Sequence, residues 1–242
     1  MAVLESGNQF RHVVSRLIVI IIHTSATRNP AGVFCACVKI GTMSKTTEEL
    51  CEVCGRKNGQ ATETVVLIDG ENFKGKISTI FAEKGQSKPI WHQYDFMGLI
   101  ASALDGKAFG RVVFYFARIR EHERTKSKSM KLIEEQRLYI SHLRRQGIEV
   151  TLAGNVRGNL QKVFDREGNE KEEVVFKEKG IDVKIGVDMV AMSCDRTAKE
   201  IILGSSDSDL IPAVRETIKR NIPCTYLSFE SNLNLGLANT TR

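Results

Sequence analysis

VVLIDGENF, residues 65–73, is the stretch of sequence that decides the fold. Its first half continues an apolar, β-branched run, Thr64–Ile68, of the kind found in strands that are buried on both faces of a parallel sheet. Asp69 and Gly70 end this run, and the residues from Phe73 to Lys84 have the pattern of a helix. The stretch therefore predicts a strand, then a carboxylate at its carboxyl end, then a helix.

The same alternation repeats along the chain. The other predicted strands are short apolar runs: Arg111–Ala117, Ile148–Leu152, Glu200–Gly204 and Cys224–Leu227. The predicted helices lie between them: Phe73–Lys84, Tyr94–Leu104, Ser129–Gln146, Gly180–Ser193 and Ser208–Arg220. Residues Gln161 to Lys177 flank a polar turn and predict an inserted β-hairpin. The pattern indicates an α/β fold with a mostly parallel sheet of about five strands and helices on both faces.

Composition limits the domain organisation and the partners. A chain of 242 residues accommodates one domain with tails, and its net charge of +6 suits a polyanionic partner such as a nucleic acid. We expect an N-terminal extension over residues 1–60, a folded domain over 61–229 and a C-terminal tail over 230–242. The apolar run Leu17–Ile22 is shorter than the roughly 18 residues that a membrane span needs, so we expect no membrane partner.

Three interpretations of the first forty residues stay open. The segment before Met43 is a mis-assigned start or a disordered extension, a signal-like segment, or a real structural element. Cys51 and Cys54 have the spacing of a zinc knuckle but supply two of four ligands, so an exposed tail is favoured over a zinc shared between subunits. Cys194 and Cys224 are expected to be buried thiols, and the cysteines form no disulfide framework. This pattern favours a reducing compartment and hence a cytoplasmic location.

Carboxylates follow two predicted strands and begin one helix. Asp69 follows the first strand, Asp207 and Asp209 follow the fourth, and Asp182 and Asp188 lie in the helix between them. Sites in open parallel sheets form at the carboxyl ends of the strands. Carboxylates that meet there repel one another unless a cation neutralises them, and their hard oxygen atoms favour Mg²⁺ or Mn²⁺.

A simpler explanation exists for three of these aspartates. Asp69 and Asp207 have the position of helix caps, and Asp188 could pair with Lys184 one helical turn before it. Asp182 and Asp188 differ by about 120° around a straight helix, so both are not expected to reach one small site. Which of the two helix aspartates contacts a metal is left open.

Three blocks of the chain resemble NYN domains of the bacterial LabA-like type, over Thr64 to Ser228. These blocks are VVLIDGENF, KGIDVKIGVDMV and ILGSSDSDLIPAV, and they occur in the order found in that family. The resemblance implies a PIN-like Rossmannoid fold and a Mg²⁺-dependent ribonuclease that acts on RNA. By matching position it implies catalytic and metal-binding roles for five aspartates: Asp69, Asp182, Asp188, Asp207 and Asp209. It also implies substrate contacts from Asn72, Lys179 and Ser205.

Other functions remain as alternatives. The same fold could be a catalytically inactive nucleic-acid-binding or scaffold module, and a homodimer is one option for its assembly. A Toprim-type phosphotransfer domain would explain Asp207-Ser208-Asp209, but that family has a glutamate where this chain has Asp69. A flavodoxin-like domain is disfavoured, because no Gly-rich phosphate loop follows the first strand. The sequence thus favours a metal-dependent nuclease over a pure binding module.

Overall fold

The structure, a computed structural model, describes residues 17–21, 63–121, 125–164, 170–230 and 233–240. For residues 17–21, 157–164 and 170–178 the description covers the backbone. The strands are β1 (Leu17–Ile21), β2 (Glu63–Asp69), β3 (Arg111–Arg118), β4 (Glu149–Phe164), β5 (Glu170–Lys179), β6 (Ala198–Gly204) and β7 (Cys224–Phe229). The helices are α1 (Gly70–Glu83), α2 (Phe96–Ala103), α3 (Lys126–Arg145), α4 (Ile181–Cys194), α5 (Ile211–Lys219) and α6 (Leu235–Asn239). Short 3-10 turns cover Trp91–Gln93 and Ser208–Leu210.

The strands form one sheet in the order β1-β7-β6-β2-β3-β4-β5. The five central strands, from β7 to β4, are parallel to one another. The edge strands β1 and β5 are antiparallel to their neighbours β7 and β4. The α/β fold with five parallel strands and helices on both faces is therefore confirmed.

Each face of the sheet has its own hydrophobic core. Val66 and Ile68 of β2 pack among residues of α1, α2 and α3 on one face. Val65 and Leu67 point to the other face and pack among residues of α4, α5 and α6. Because successive side chains of a strand point to opposite faces, a strand covered on both faces needs apolar residues at every position. This requirement explains the continuous apolar runs of the sequence.

The predicted hairpin is larger than the sequence indicated. The third predicted strand and the first half of the hairpin are one 16-residue strand, β4, and its residues from Asn155 to Phe164 pair with β5. At Gly154 the backbone takes a φ of +67°, and the register between β3 and β4 shifts there. The hairpin is thus an extension of the sheet, not a separate insertion, because Gly154 lets the strand bend while its ladder continues.

The chain ends add elements that the sequence pattern did not predict. The tail after Glu230 contains α6, whose Leu237 is buried and whose first turn is capped by the side chain of Asn234. The apolar run near the N-terminus forms β1, which pairs with β7. The rest of residues 1–60, including Cys51 and Cys54, lies outside the described residues.

The two cysteines predicted to be buried differ. Cys224 is buried in β7, as expected, but Cys194 is exposed at the end of α4, so that prediction was wrong for Cys194. The helical periodicity of α4 places Cys194 one residue past the buried Ser193, on the outer side of the helix. Over the described part of the chain, no helix combines the length and the apolar character that crossing a membrane requires.

Candidate metal centre

The carboxyl end of β2 lies at the point where the strand order reverses. After β2, the next strands along the chain, β3 and β4, lie on one side of it in the sheet, whereas β6 and β7 lie on its other side. Such a reversal leaves a crevice between the two central strands at their carboxyl ends. Asp69 is the last residue of β2, and its Oδ1 accepts a hydrogen bond from the backbone N–H of Asn72 at 3.1 Å. Asp69 therefore both caps α1 and borders the crevice.

The turn after β6 brings two more carboxylates to this crevice. The backbone N–H of Asp207 donates to Ser205 Oγ at 3.2 Å, and that of Asp209 donates to Asp207 Oδ1 at 2.9 Å. Ser205 is 2% exposed, so its hydroxyl lies beneath the turn. These two hydrogen bonds hold the turn in shape and leave one carboxylate oxygen of Asp207 outside them.

The start of α4 supplies the third carboxylate of the group. One side-chain oxygen from each of Asp182, Asp207 and Asp209 lies within 4.8 Å of the other two. Asp69 joins Asp182 and Asp207 in lining a pocket of about 170 Å³, which also touches Lys179. Four aspartates from three separate segments thus meet at the carboxyl edge of the sheet.

Burial and mutual repulsion mark Asp69 as the most perturbed of these groups. Burial, followed by the charge of Asp207, raises the pKa of Asp69 from 3.8 to about 6, while the Asn72 N–H opposes the increase. The charges of Glu71 and Asp182 add to the repulsion. The ionised cluster is therefore unfavourable until a cation neutralises it.

The donor set fits a hard divalent cation. Mg²⁺ and Mn²⁺ prefer oxygen ligands, and Asp182, Asp207 and Asp209 would each supply a carboxylate oxygen. These oxygens lie within 4.8 Å of one another, so one cation would neutralise all three carboxylates. This group consists of aspartates and contains no histidine or cysteine, the ligands that favour zinc.

A family model described as the NYN domain matches residues 63–235. The match covers more than half of the chain and includes β2, α4 and β6. The chain belongs to the NYN domain family. NYN domains are PIN-like nuclease domains, so membership indicates a nuclease that binds nucleic acid. Comparisons with curated proteins and with solved structures return no match.

The structure separates the two helix aspartates of this NYN domain. Asp188 accepts hydrogen bonds from Tyr115 Oη at 2.9 Å and from Lys184 Nζ at 2.6 Å. Asp188 does not belong to the group of carboxylates formed by Asp182, Asp207 and Asp209. Asp188 follows Asp182 by six residues and therefore lies about 9 Å further along the helix axis. It is thus distant from the start of α4, where Asp182 lies. Burial and the adjacent Asp188 raise the pKa of Tyr115, so Tyr115 remains a hydrogen-bond donor.

The other predicted substrate residues of the NYN domain have different surroundings. Lys179 is exposed and lines the pocket, whereas Ser205 is buried and engaged by the Asp207 N–H. Asn72 Oδ1 accepts a hydrogen bond from Ser206 Oγ at 3.1 Å. Asn72 therefore joins the start of α1 to the turn after β6, and Ser205 braces that turn from within.

Two residues of the site were missed at the sequence level. Asn234 Nδ2 donates to the carbonyl oxygen of Ser206 at 2.9 Å, so α6 holds the turn after β6 in place. An asparagine before a helix-forming segment is a typical N-cap, and this signal could have identified both α6 and Asn234. Tyr115 was missed because it lies within an apolar strand whose other residues serve the core.

Replacing each helix aspartate with alanine should separate their roles. Asp182→Ala is expected to reduce divalent-cation-dependent cleavage by at least about 10-fold. Losing a residue that only supports a metal ligand already costs about 10-fold, so this value is a lower bound. Asp188→Ala should retain cleavage but lower the free energy of unfolding by about 1–3 kcal/mol, because Tyr115 Oη loses its acceptor. Cleavage rates and urea unfolding of both variants provide the test. Equal loss of cleavage in both would return Asp188 to the metal site.

Asp69→Asn should stabilise the metal-free protein. The raised pKa means that folded Asp69 retains a proton between about pH 4 and 6, so the free energy of unfolding decreases as pH rises through this range. Two pKa units correspond to at most about 3 kcal/mol. Asn keeps the cap without the charge. In EDTA at pH 7.5 we expect Tm to increase by up to about 10 °C, and near pH 4 to be almost unchanged.

The exposed cap Asp95, which accepts from the Gly98 N–H, provides a control for this prediction. Asp95→Asn removes an equal charge from a helix cap outside the pocket. Its effect on Tm in EDTA should be small at both pH values. An Asp69→Asn shift that is the same at pH 4 and 7.5, or absent at both, would contradict the burial and the repulsion described for Asp69.

Proposed function

We propose that this NYN domain is a Mg²⁺-dependent endoribonuclease of the LabA-like type. The observation that carries the proposal is the convergence of Asp182, Asp207 and Asp209 within 4.8 Å, next to the partly buried Asp69. The net charge of +6 supports a polyanionic substrate despite this acidic pocket. The irregular spacing of the six cysteines in the sequence is the basis on which we propose a cytoplasmic location.

Each residue of the pocket has a proposed task. Asp182, Asp207 and Asp209 would hold the divalent cation, which supplies an activated water and neutralises charge on the phosphate. Asp69 borders the same pocket, where its carboxylate would accept a proton from the attacking water. Lys179, at the rim of the pocket, would contact a phosphate oxygen. Ser205 and Asn72 act as positioning residues, because their side chains are engaged by the Asp207 N–H and by Ser206.

Cleavage of labelled RNA and DNA in the presence of Mg²⁺, Mn²⁺ or EDTA tests the proposal. We expect cleavage of RNA with either cation and none with EDTA. Internal cuts in a circular RNA would distinguish an endonuclease from an exonuclease. Binding of RNA without cleavage under every metal condition would instead support the inactive binding module.

A further inference from the structure

The hairpin of β4 and β5 forms an arm that extends from the edge of the sheet where the aspartates lie. We define the arm as Asn155–Phe164 paired with Glu170–Lys179. The pairing between β3 and β4 ends at Arg118 and Asn155, and β4 then continues beyond β3 to Phe164. Because β4 is parallel to β3, this continuation passes the carboxyl end of β3. Ten residues of antiparallel strand span about 34 Å.

The register of the arm sorts its charged residues onto two faces. Directly opposed residues of an antiparallel pair share a face, and successive pairs alternate. One face holds the pairs Asn155/Lys179, Arg157/Lys177, Asn159/Val175, Gln161/Glu173 and Val163/Lys171. The other holds Val156/Glu178, Gly158/Phe176, Leu160/Val174, Lys162/Glu172 and Phe164/Glu170. The first face therefore has four basic residues and one acidic residue, and the second has one basic residue and three acidic residues.

The basic face places like charges opposite each other. Arg157 pairs directly with Lys177, and Lys179 lies two positions further along the same strand. Like charges in this arrangement destabilise a strand pair, whereas the other face has the complementary pair Lys162/Glu172. An anion between the basic positions would remove the repulsion. The arrangement thus indicates a binding surface for an anion with several charges.

The basic face begins at the pocket of the aspartates. Lys179 lines that pocket and pairs with Asn155 across the arm. Asn155 also pairs with Arg118 of β3, and Arg118 is exposed. The row from Arg118 through Lys179 to Arg157 and Lys177 leads from the pocket onto the arm. A narrow basic row that follows a strand pair matches the backbone of a single nucleic-acid strand, which binds through successive phosphates.

We propose that the basic face of the arm binds the phosphates of a single RNA strand whose cleaved bond lies in the aspartate pocket. This inference rests on the proposed nuclease function. The arm would hold the strand beside the pocket and set the minimum length of a good substrate.

The double variant Arg157→Gln/Lys177→Gln tests the arm. Binding of a fluorescein-labelled, unstructured 20-nucleotide RNA is measured by fluorescence anisotropy in EDTA, so that cleavage does not interfere. Loss of two phosphate contacts should make the plot of log association constant against log salt concentration less steep by about 1.4. At 0.1 M salt the same loss should weaken RNA binding about 25-fold. The conservative variant Arg157→Lys/Lys177→Arg should bind like the wild type. Circular dichroism and Tm check that the folds match.

Lys199→Gln/Lys219→Gln is the matched control, since it removes the same charge near the opposite edge of the sheet. Lys199 is near the amino end of β6 and Lys219 ends α5, and both are exposed. Equal weakening by the arm and control variants, or no RNA binding by the wild type, overturns the arm proposal. Arm-dependent binding without cleavage in Mg²⁺ or Mn²⁺ would support RNA binding by the arm while refuting cleavage in the pocket and, with it, the nuclease. If the wild type cleaves RNA but the arm variant binds RNA as well as the wild type, the nuclease is supported and the arm proposal is refuted.

Discussion

Asp207→Asn is expected to reduce Mg²⁺-dependent RNA cleavage by at least about 100-fold, the upper range for losing a partner of a metal ligand. The asparagine of this variant would still accept the Asp209 N–H through its Oδ1, so the turn after β6 should keep its shape. What the variant lacks is one negative charge among the three carboxylates that lie within 4.8 Å of one another. Single-turnover cleavage at saturating protein measures the loss in the chemical step.

Metal binding separates this explanation from misfolding. Titration with Mn²⁺, followed by its electron paramagnetic resonance signal, should show at least about 10-fold weaker binding to Asp207→Asn. Asp95→Asn, the change at the exposed cap of α2, should retain both metal binding and cleavage. Undiminished cleavage by folded Asp207→Asn would refute the proposed metal site.

The central strands were predictable because burial on both faces leaves a direct trace in the sequence. Val65 to Ile68 serve two different cores in alternation, so every position is apolar. The polar residue that ends such a run then marks the carboxyl end of a strand, as Asp69 does. Since parallel strands share one carboxyl edge, the sequence placed Asp69 and Asp207 at that edge. The adjacency of β2 and β6, which brings the two residues together, is seen only in the structure.

The choice between Asp182 and Asp188 needed coordinates. Their spacing predicts different sides of the helix, but it does not say which side faces the crevice. In the structure Asp188 has a partner outside α4, because Tyr115 of β3 donates to it, and this contact supports our proposal that Asp182 is the ligand. Tyr115 lies far from Asp188 in the sequence and resembles a core residue, so no local pattern indicated the contact.

The continuity of β4 was hidden for a related reason. Residues 153–160, AGNVRGNL, lack the apolar alternation that marks a half-buried strand, so the sequence pattern predicts a break between a strand and a hairpin there. Backbone pairing with β5 holds this segment in the sheet whatever its side chains are. Strands that extend past the core carry a weak sequence signal, because burial is what imposes the pattern.

Gly154→Ala is the second substitution with a large expected effect, because it affects the junction that positions Asp182. Gly154 has a φ of +67°, and a Cβ there would overlap the backbone carbonyl oxygen of Lys179. Lys179 immediately precedes Gly180, the residue before α4. Adding a Cβ therefore pushes the start of α4, and with it Asp182, away from the pocket.

Gly85→Ala is a control with the same backbone geometry, since Gly85 also has a φ of +67° but no atom within 4 Å of an added Cβ. Both variants should lose about 1–2 kcal/mol from the left-handed conformation. Gly154→Ala should lose a further ~1–3 kcal/mol from overlap, and a displacement of about 1 Å at the site can reduce cleavage about 100-fold. Urea unfolding and single-turnover cleavage measure the two effects. If both variants cleave RNA at the same rate, the close contact between Gly154 and Lys179 does not position Asp182.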